Sequence, residues 1–171
     1  VRTLVRIGRA GEAEALTRAM DAPPTVYAAH LAAQADGLCT VLVAEVGGRV
    51  VGTGMLRREP RDAVVRERWG SMPEISNLQV HPDEQGRGHG TALVEAACAR
   101  AAADGHPRVG IGVGQDNPGA ARLYLRLGFA ETGLAYADHY TWTDAEGVEH
   151  HAAEDVRYLV RELGQGSGPP R

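Results

Sequence analysis

The chain has 171 residues, of which 43% are hydrophobic and 23% charged, and its formal net charge is −4. Those proportions are those of a folded globule and exclude a largely disordered chain. No apolar run approaches the roughly 20 residues of a membrane helix, and net acidity argues against nucleic acid as the main partner. The length suits one domain, expected over residues 1–163 with a flexible tail at 164–171; a domain of this size buries roughly 70% of the surface its unfolded chain exposes.

All 18 basic residues are arginine. The lack of lysine excludes a Walker P-loop, a pyridoxal-phosphate Schiff base and any lysine nucleophile, and it is the composition of a GC-rich bacterial genome. Arg2, Arg6 and Arg9 have no apolar stretch behind them, so the N-terminus does not read as a signal peptide. Cys39 and Cys98 show no partner pattern and read as small buried hydrophobes of a reducing compartment, with the cytoplasm as the expected location.

In chain order, Thr3–Ile7 alternates as a short strand and Glu12–Met20 has helical spacing, broken by Asp21-Ala-Pro-Pro24. Thr25 can cap a second helix, Val26–Ala35. Cys39–Val46 and Arg49–Leu56 are strands about the two-residue turn Gly47-Gly48. Residues 57–73 are charged and irregular and read as a long loop with at most one helical turn. Glu74–Val80 is a strand, Gly90–Ala103 an alanine-rich helix and Arg108–Val113 a strand; Asn117-Pro118 opens a helix that stops at Gly128. Phe129–Trp142 and Val148–Leu163 read as two long strands about Asp144–Gly147, with a helical finish to the second left open. The strand–helix–strand unit from Glu74 to Val113 implies a right-handed crossover and one parallel pair, flanked by hairpins. The class is a mixed α/β sheet, mostly antiparallel, with helices on its faces.

The densest chemical signal is Val80-His-Pro-Asp-Glu-Gln-Gly-Arg-Gly-His-Gly-Thr91, where a strand ends, a glycine-rich loop follows and a helix begins. Amides at a helix N-terminus point outward, the helix dipole adds positive potential, and glycine admits close approach and positive φ, so the segment is an anion cradle to which Arg87 adds charge. The same glycines also serve a tight turn with no ligand. A Rossmann fingerprint fails here, because Thr91 stands where the third glycine belongs and Asp104 and Asp116 fall in turns. Gly110, Gly112 and Gly114 alternate within a strand and mark a thin face that another group approaches closely.

These residues resemble the GNAT superfamily of N-acetyltransferases. Its acetyl-CoA signature, Gln/Arg-x-x-Gly-x-Gly/Ala after a strand ending in Val-x-Pro, stands here as Gln85-Gly-Arg-Gly-His-Gly90 after Val80-His-Pro82. Asn117-Pro-Gly-Ala-Ala-Arg-Leu-Tyr124-Leu-Arg-Leu-Gly128-Phe129 is similar to the family's second block, Asn-x-x-Ala-x-x-x-Tyr-x-x-x-Gly-Phe, and the match spans residues 74–131. The resemblance implies a GNAT fold whose two parallel central strands splay apart, with the pantetheine arm between them. It implies that Gln85, Gly86, Arg87, Gly88, His89, Gly90 and Thr91 hold the pyrophosphate, chiefly by backbone amides. Leu78, Gln79 and Val80 would pair with the pantetheine and offer an N–H to the thioester oxygen. Asn117 would reach the cofactor arm.

Asn117 before Pro118 is also a strong helix N-cap with proline at the first position, and one side chain can do both. Tyr124 lies seven residues on, two helical turns, on nearly the same face. It is either a core ring or the acid that protonates the departing thiolate, a phenol of pKa about 10 being a reasonable match to an alkyl thiol. Glu74 is either a solvent-facing strand end or the base that deprotonates the incoming ammonium, directly or through water. His81 and Asp83 are weaker rivals for that role. His139, His150 and His151 lack metal-ligand spacing, so no metal is expected, and no G-x-S-x-G elbow supports a serine hydrolase.

The expectation is therefore acetyl transfer from acetyl-CoA, as cosubstrate, to a small-molecule primary amine by direct attack. A protein or peptide N-acetyltransferase and a non-catalytic CoA-binding module are the alternatives. The fold that the resemblance implies places the acceptor groove at Tyr27 and His30, at residues 57–73, and at Tyr136, Asp138, His139, Tyr140 and Trp142. Acidic and aromatic groups there suit a cationic amine, and the same residues could equally form the seam of a homodimer.

Overall fold

A computed structural model describes residues 2–164, so the expected tail lies, from residue 165 on, outside the described residues. Seven strands, β1 (Leu4–Ile7), β2 (Cys39–Val46), β3 (Arg49–Arg57), β4 (Glu74–Val80), β5 (Arg108–Gly114), β6 (Ala130–Thr143) and β7 (Glu149–Glu162), form one sheet. Their order is β1-β2-β3-β4-β5-β7-β6, and β4–β5 is the parallel pair among antiparallel neighbours. The second long strand stays extended to Glu162, and it inserts between β5 and β6.

The helices are α1 (Ala13–Met20), α2 (Val26–Ala35), α3 (Ala63–Trp69), α4 (His89–Ala103) and α5 (Pro118–Arg126). The reading of 57–73 as a loop is corrected by α3, which is nearly two turns long. Asp62 caps it by accepting from the Val64 N–H at 2.9 Å, Gly70 ends it at φ 66°, and Val65 is its buried anchor. A seven-residue helix carrying Arg66, Glu67 and Arg68 shows too short an apolar stripe to declare itself; packing of Val65 with Met72 and Tyr158 holds it.

Alternation along the strands divides the core between the two faces of the sheet. On one face α4 and α5 press Leu93, Val94, Ala97, Cys98 and Ala121 onto Leu42, Ile75, Val109, Ile111 and Leu159. On the other, α1 and α2 bring Leu16, Met20 and Tyr27 onto Val41, Val43 and Met55, and α3 sits further along on Tyr158. Both cysteines are buried as free thiols, and burial pushes Cys98 up to about 11.

Two features pull the centre of the sheet apart. β4 and β5 pair only at Glu74–Gly110 and Ile75–Ile111. Just beyond, β4 carries a bulge: Met55 faces Ser76 and Thr53 faces Gln79, so one more residue lies on β4 than on β3, and Asn77 takes φ 51° to accommodate it. A bulge bends its strand and sharpens its twist, which here carries β4 away from β5.

The alternating glycines of β5 answer the expectation of a close approach. A Cβ on Gly110 would fall on the Tyr158 hydroxyl, and one on Gly112 would stand 2.9 Å from Val156 Cγ1 and 3.1 Å from Tyr136 Oη. Tyr158 therefore reaches from β7 over the bare backbone of β5 to β4, where its hydroxyl donates to Glu74 Oε2 at 2.8 Å. Gly110→Ala should push that ring back. Overpacking of this kind costs about 1–3 kcal/mol, and a thermal melt should show Tm lower by several degrees; an unchanged Tm would contradict the crossing.

Candidate active site

The divergence of β4 and β5 opens the sheet between its two faces, and three connected spaces follow from it. On the α4/α5 face a groove of about 580 Å³ is lined by Leu78, Val80, Gln85, Gly86, Gly88, His89, Gly90, Thr91 and Asn117. On the opposite face a cavity of about 370 Å³ is lined by Glu74, Gln79, Tyr136 and Asp138, and also by Arg61, Asp62, Tyr140 and Glu154. A cleft of about 200 Å³ between the strands carries Leu78, Asn117, Tyr124 and Glu154 and shares residues with both.

The groove begins at the loop after β4. Gly86 and Gly88 hold φ 76° and 86°, a conformation side chains resist, and the position of a Cβ at either is open space. Gly88 is the N-cap of α4, so the first amides of that helix face the groove. Gln85 Nε2 donates to the Val80 carbonyl at 3.3 Å and ties the loop to the strand. Beneath the loop lies a carboxylate that sequence reasoning missed. Glu84 is buried, and it accepts from Arg49 at 2.5 Å and Arg87 at 3.2 Å, with His89 Nε2 at 3.5 Å. The Arg49 guanidinium holds its carboxyl below the usual range. Arg87 is thus engaged with Glu84 and does not line the groove, and the His89 ring turns inward, its Nδ1 2.8 Å from Thr3 Oγ1. Gln79 points to the other face of the sheet.

Asn117 does serve as the N-cap of α5, accepting from the Ala120 N–H at 3.1 Å, with Pro118 next. It still faces both groove and cleft. Tyr124 is 7% exposed, its ring 6.1 Å from that of Phe129, and burial pushes its hydroxyl up to about 12. Core packing and access to the cleft are both realised in the one residue.

Glu74 does not face solvent: it is 5% exposed. Its Oε2 accepts from Tyr158 and its Oε1 from the Arg61 N–H at 3.2 Å. Burial raises its carboxyl above the usual range, and the Tyr158 hydrogen bond is the largest force opposing that rise. Nearby, Arg61 is paired with Asp138, and burial with the neighbouring carboxylates pushes the Tyr136 phenol upward.

Four residues expected in the acceptor groove, Tyr27, His30, His139 and Trp142, do not line the cavity. Tyr27 is 2% exposed within the core of Leu16, Met20, Val41 and Met55, and its hydroxyl is 2.7 Å from Thr53 Oγ1; His30 packs edge-on against it. Neither lines the cavity, because α2 lays this face on the sheet and the cavity lies toward α3 and β7. Trp142 stacks on His150 at 4.3 Å between centroids and His150 bonds Asp144 at 2.7 Å, both away from the cavity. His81 accepts from the Asp83 N–H at 3.3 Å and closes a 3-10 turn over Pro82–Glu84. Among the described residues no three His, Cys, Asp or Glu side chains stand together as a metal set, and no helix is long and apolar enough to cross a membrane.

The sheet is thus split at its one parallel pair, with an amide-lined loop on one face and an acidic cavity on the other. Residues 11–129 match the acetyltransferase (GNAT) family, and the chain belongs to that family. An uncharacterized N-acetyltransferase of Mycobacterium tuberculosis is 32% identical over 156 residues, which is 82% of this chain and 87% of the relative. The L-2,4-diaminobutyric acid acetyltransferase of Nocardia farcinica is 36% identical over 128 residues, 74% of this chain and 61% of that protein. The fold is shared with the phosphinothricin acetyltransferase of Sinorhizobium meliloti in complex with acetyl-CoA (TM-score 0.67, 21% identity, 100% of this chain and 94% of that one). It is shared also with an acetyl-CoA-bound GNAT acetyltransferase of Elizabethkingia anophelis (TM-score 0.61, 20% identity, 94% and 98%).

The buried Glu74 carboxyl has a consequence for stability. A raised carboxyl binds its proton more tightly in the folded chain than in the unfolded one. Its contribution is therefore full below the ordinary carboxylate pKa and is lost as pH rises through the raised folded value. The Tm of the native chain minus that of Glu74→Gln should be larger at about pH 4 than at about pH 8. Parallel melting curves across that range test the sign, and a difference independent of pH would contradict it.

Proposed function

We propose that this protein transfers the acetyl group of acetyl-CoA to a primary amine of a small molecule, by direct attack within a ternary complex and without a covalent enzyme intermediate. The observation that carries the reading is the cleft joining the two grooves, with Asn117 and Tyr124 on its wall. Acetyl-CoA, when bound, supplies an activated acyl thioester.

The residues present suit that donor. Gly86 and Gly88 leave open space where side chains would block phosphate oxygens, and the amides from Gly86 to Thr91 would hold the pyrophosphate. Past Ile75, β4 has no partner on its β5 side, so the main chain of Leu78, Gln79 and Val80 is free to pair with the pantetheine and to offer an N–H to the thioester oxygen. Tyr124, with its hydroxyl at about 12, keeps its proton at neutral pH and would hold it for the departing thiol. A carboxylate of the acceptor cavity would take the amine proton, directly or through water; Glu74 lines that cavity. The cavity's acidic residues Glu74, Asp62, Asp138 and Glu154 outnumber Arg61, which favours a cationic acceptor. The diaminobutyric acid acetyltransferase among the relatives supports a small amine.

A panel of primary amines, with L-2,4-diaminobutyrate, linear diamines and a peptide N-terminus among them, should show release of CoA thiol with a small amine. Release with the peptide alone would move the reading to protein acetylation. Gly88→Glu places a side chain and a negative charge in the phosphate path, at a backbone angle that resists any Cβ. Calorimetry should find acetyl-CoA binding abolished in a variant that melts normally. Tyr124→Phe should lower kcat by roughly 10²-fold with little change in acetyl-CoA affinity, since a proton delivered late stabilises the transition state and not the bound donor. The loss should be smaller with a donor whose thiol is more acidic.

A further inference from the structure

The acceptor cavity and the cleft between the strands have six lining residues in common, Ile75, Ser76, Asn77, Gly112, Gly114 and Glu154, and Glu154 is the acidic one. Glu74 lines the cavity but not the cleft, and both of its oxygens already accept hydrogen bonds from Tyr158 and the Arg61 N–H. Glu154 stands on β7 across from Asp138 of β6, two residues before Val156, the partner of Gly114. Because Gly114 has no side chain, Glu154 Oε1 occupies the place a Cβ would take, and Asp116 Oδ1 lies 3.0 Å from that same point. Among the described residues neither Glu154 nor Asp116 has a cationic partner, whereas Asp138 is paired with Arg61. Glu154 is half-buried, so it is open to an arriving ligand and partly stripped of water.

We propose that Glu154 receives the acceptor's ammonium where the cavity meets the cleft and takes the proton that frees its lone pair, with Asp116 behind it as the positioning residue. This assignment rests on the acetyl-transfer reading. Glu154 takes one proton as an N–H bond of the ammonium breaks. Tyr124 gives one as the C–N bond forms and the C–S bond breaks. The nitrogen's second proton restores Tyr124, and Glu154 returns its own to solvent, so one proton is released for each acetyl group transferred. Tyr124 and Glu154 both line the cleft, and a single acceptor nitrogen there serves both steps.

The chemical environment suits a base. The charged groups around Glu154 are Asp116 from the connection after β5, Asp138 from β6, and the Arg61 guanidinium held by Asp138. Partial burial, then the charge of Asp116, hold the Glu154 carboxyl above the ordinary carboxylate range. A carboxylate of raised pKa takes a proton from an ammonium more readily than an ordinary one.

The test uses steady-state kinetics across pH with the best acceptor of the amine panel, and carboxyl NMR titration of the unliganded protein. Glu154→Gln should lower kcat/KM for the amine by roughly 10²-fold or more at neutral pH and leave the KM for acetyl-CoA unchanged. The acid limb of the pH profile should vanish with it. Asp116→Asn removes the like charge, so the same limb should move to lower pH, and the Glu154 carboxyl resonance, assigned by its loss in Glu154→Gln, should titrate lower as well. That resonance keeps the proposal testable if Glu154→Gln fails to melt normally, and a Glu154 titration unmoved by Asp116→Asn overturns it. So does an acid limb that persists in Glu154→Gln and disappears in Glu74→Gln, which would return the proton to Glu74. A wild-type protein that releases no thiol with any amine overturns acetyl transfer itself. Turnover in the wild type matched by Glu154→Gln at every pH overturns the Glu154 assignment alone.

Discussion

Two residue pairs, Glu74 with Gly110 and Ile75 with Ile111, hold β4 and β5 together, and the site exists because the pairing stops there. A parallel pair that continued would close the middle of the sheet with main-chain hydrogen bonds and side chains on both faces. Instead the bulge at Asn77 turns β4 aside while β7 holds β5 along its whole length. The unpaired inner edges carry polar main-chain groups that need partners, and a ligand with amide groups of its own can supply them.

The same opening separates the chemistry by charge. On the α4/α5 face, helix N-terminal amides, glycine and Arg126 line the groove, while Arg49 and Arg87 are held by Glu84 beneath the loop. On the α3 face, Glu74, Asp138 and Glu154 build an acidic cavity. On the acetyl-transfer reading proposed above, an anionic donor and a cationic acceptor would enter by opposite mouths of one passage.

The opening would be fragile without a brace at its closed end. Tyr158 supplies it: fully buried, it crosses over Gly110 from β7 and donates to Glu74, the first of the two paired positions of β4. Three strands are tied at the point where the divergence begins. The brace also keeps a carboxylate buried beside the acceptor cavity at a tolerable energetic cost, because an unsatisfied buried acceptor would be destabilising by about 1–3 kcal/mol.

Much of this was legible in the chain itself. The glycine loop, the Asn117-Pro118 cap, the Gly47-Gly48 hairpin and the strand–helix–strand unit are local signals, each set by φ, capping or side-chain period within a few residues, and all stand where the sequence puts them. The thin glycine face of β5 was visible too, though not what would lie on it. Short α3 was hidden because seven residues cannot display a helical stripe. Glu154 and Tyr158 were hidden because each meets its partners across the sheet: 84 residues separate Tyr158 from Glu74, and the insertion of β7 beside β5 brings them together. Tyr27 and Arg87 carried the right chemistry for a site and were turned elsewhere, one into the core and one onto Glu84. Local backbone preference is written residue by residue, and so the sequence determined the elements and the donor loop. Strand order and the face each side chain meets depend on contacts between distant segments, and only the tertiary structure decided those.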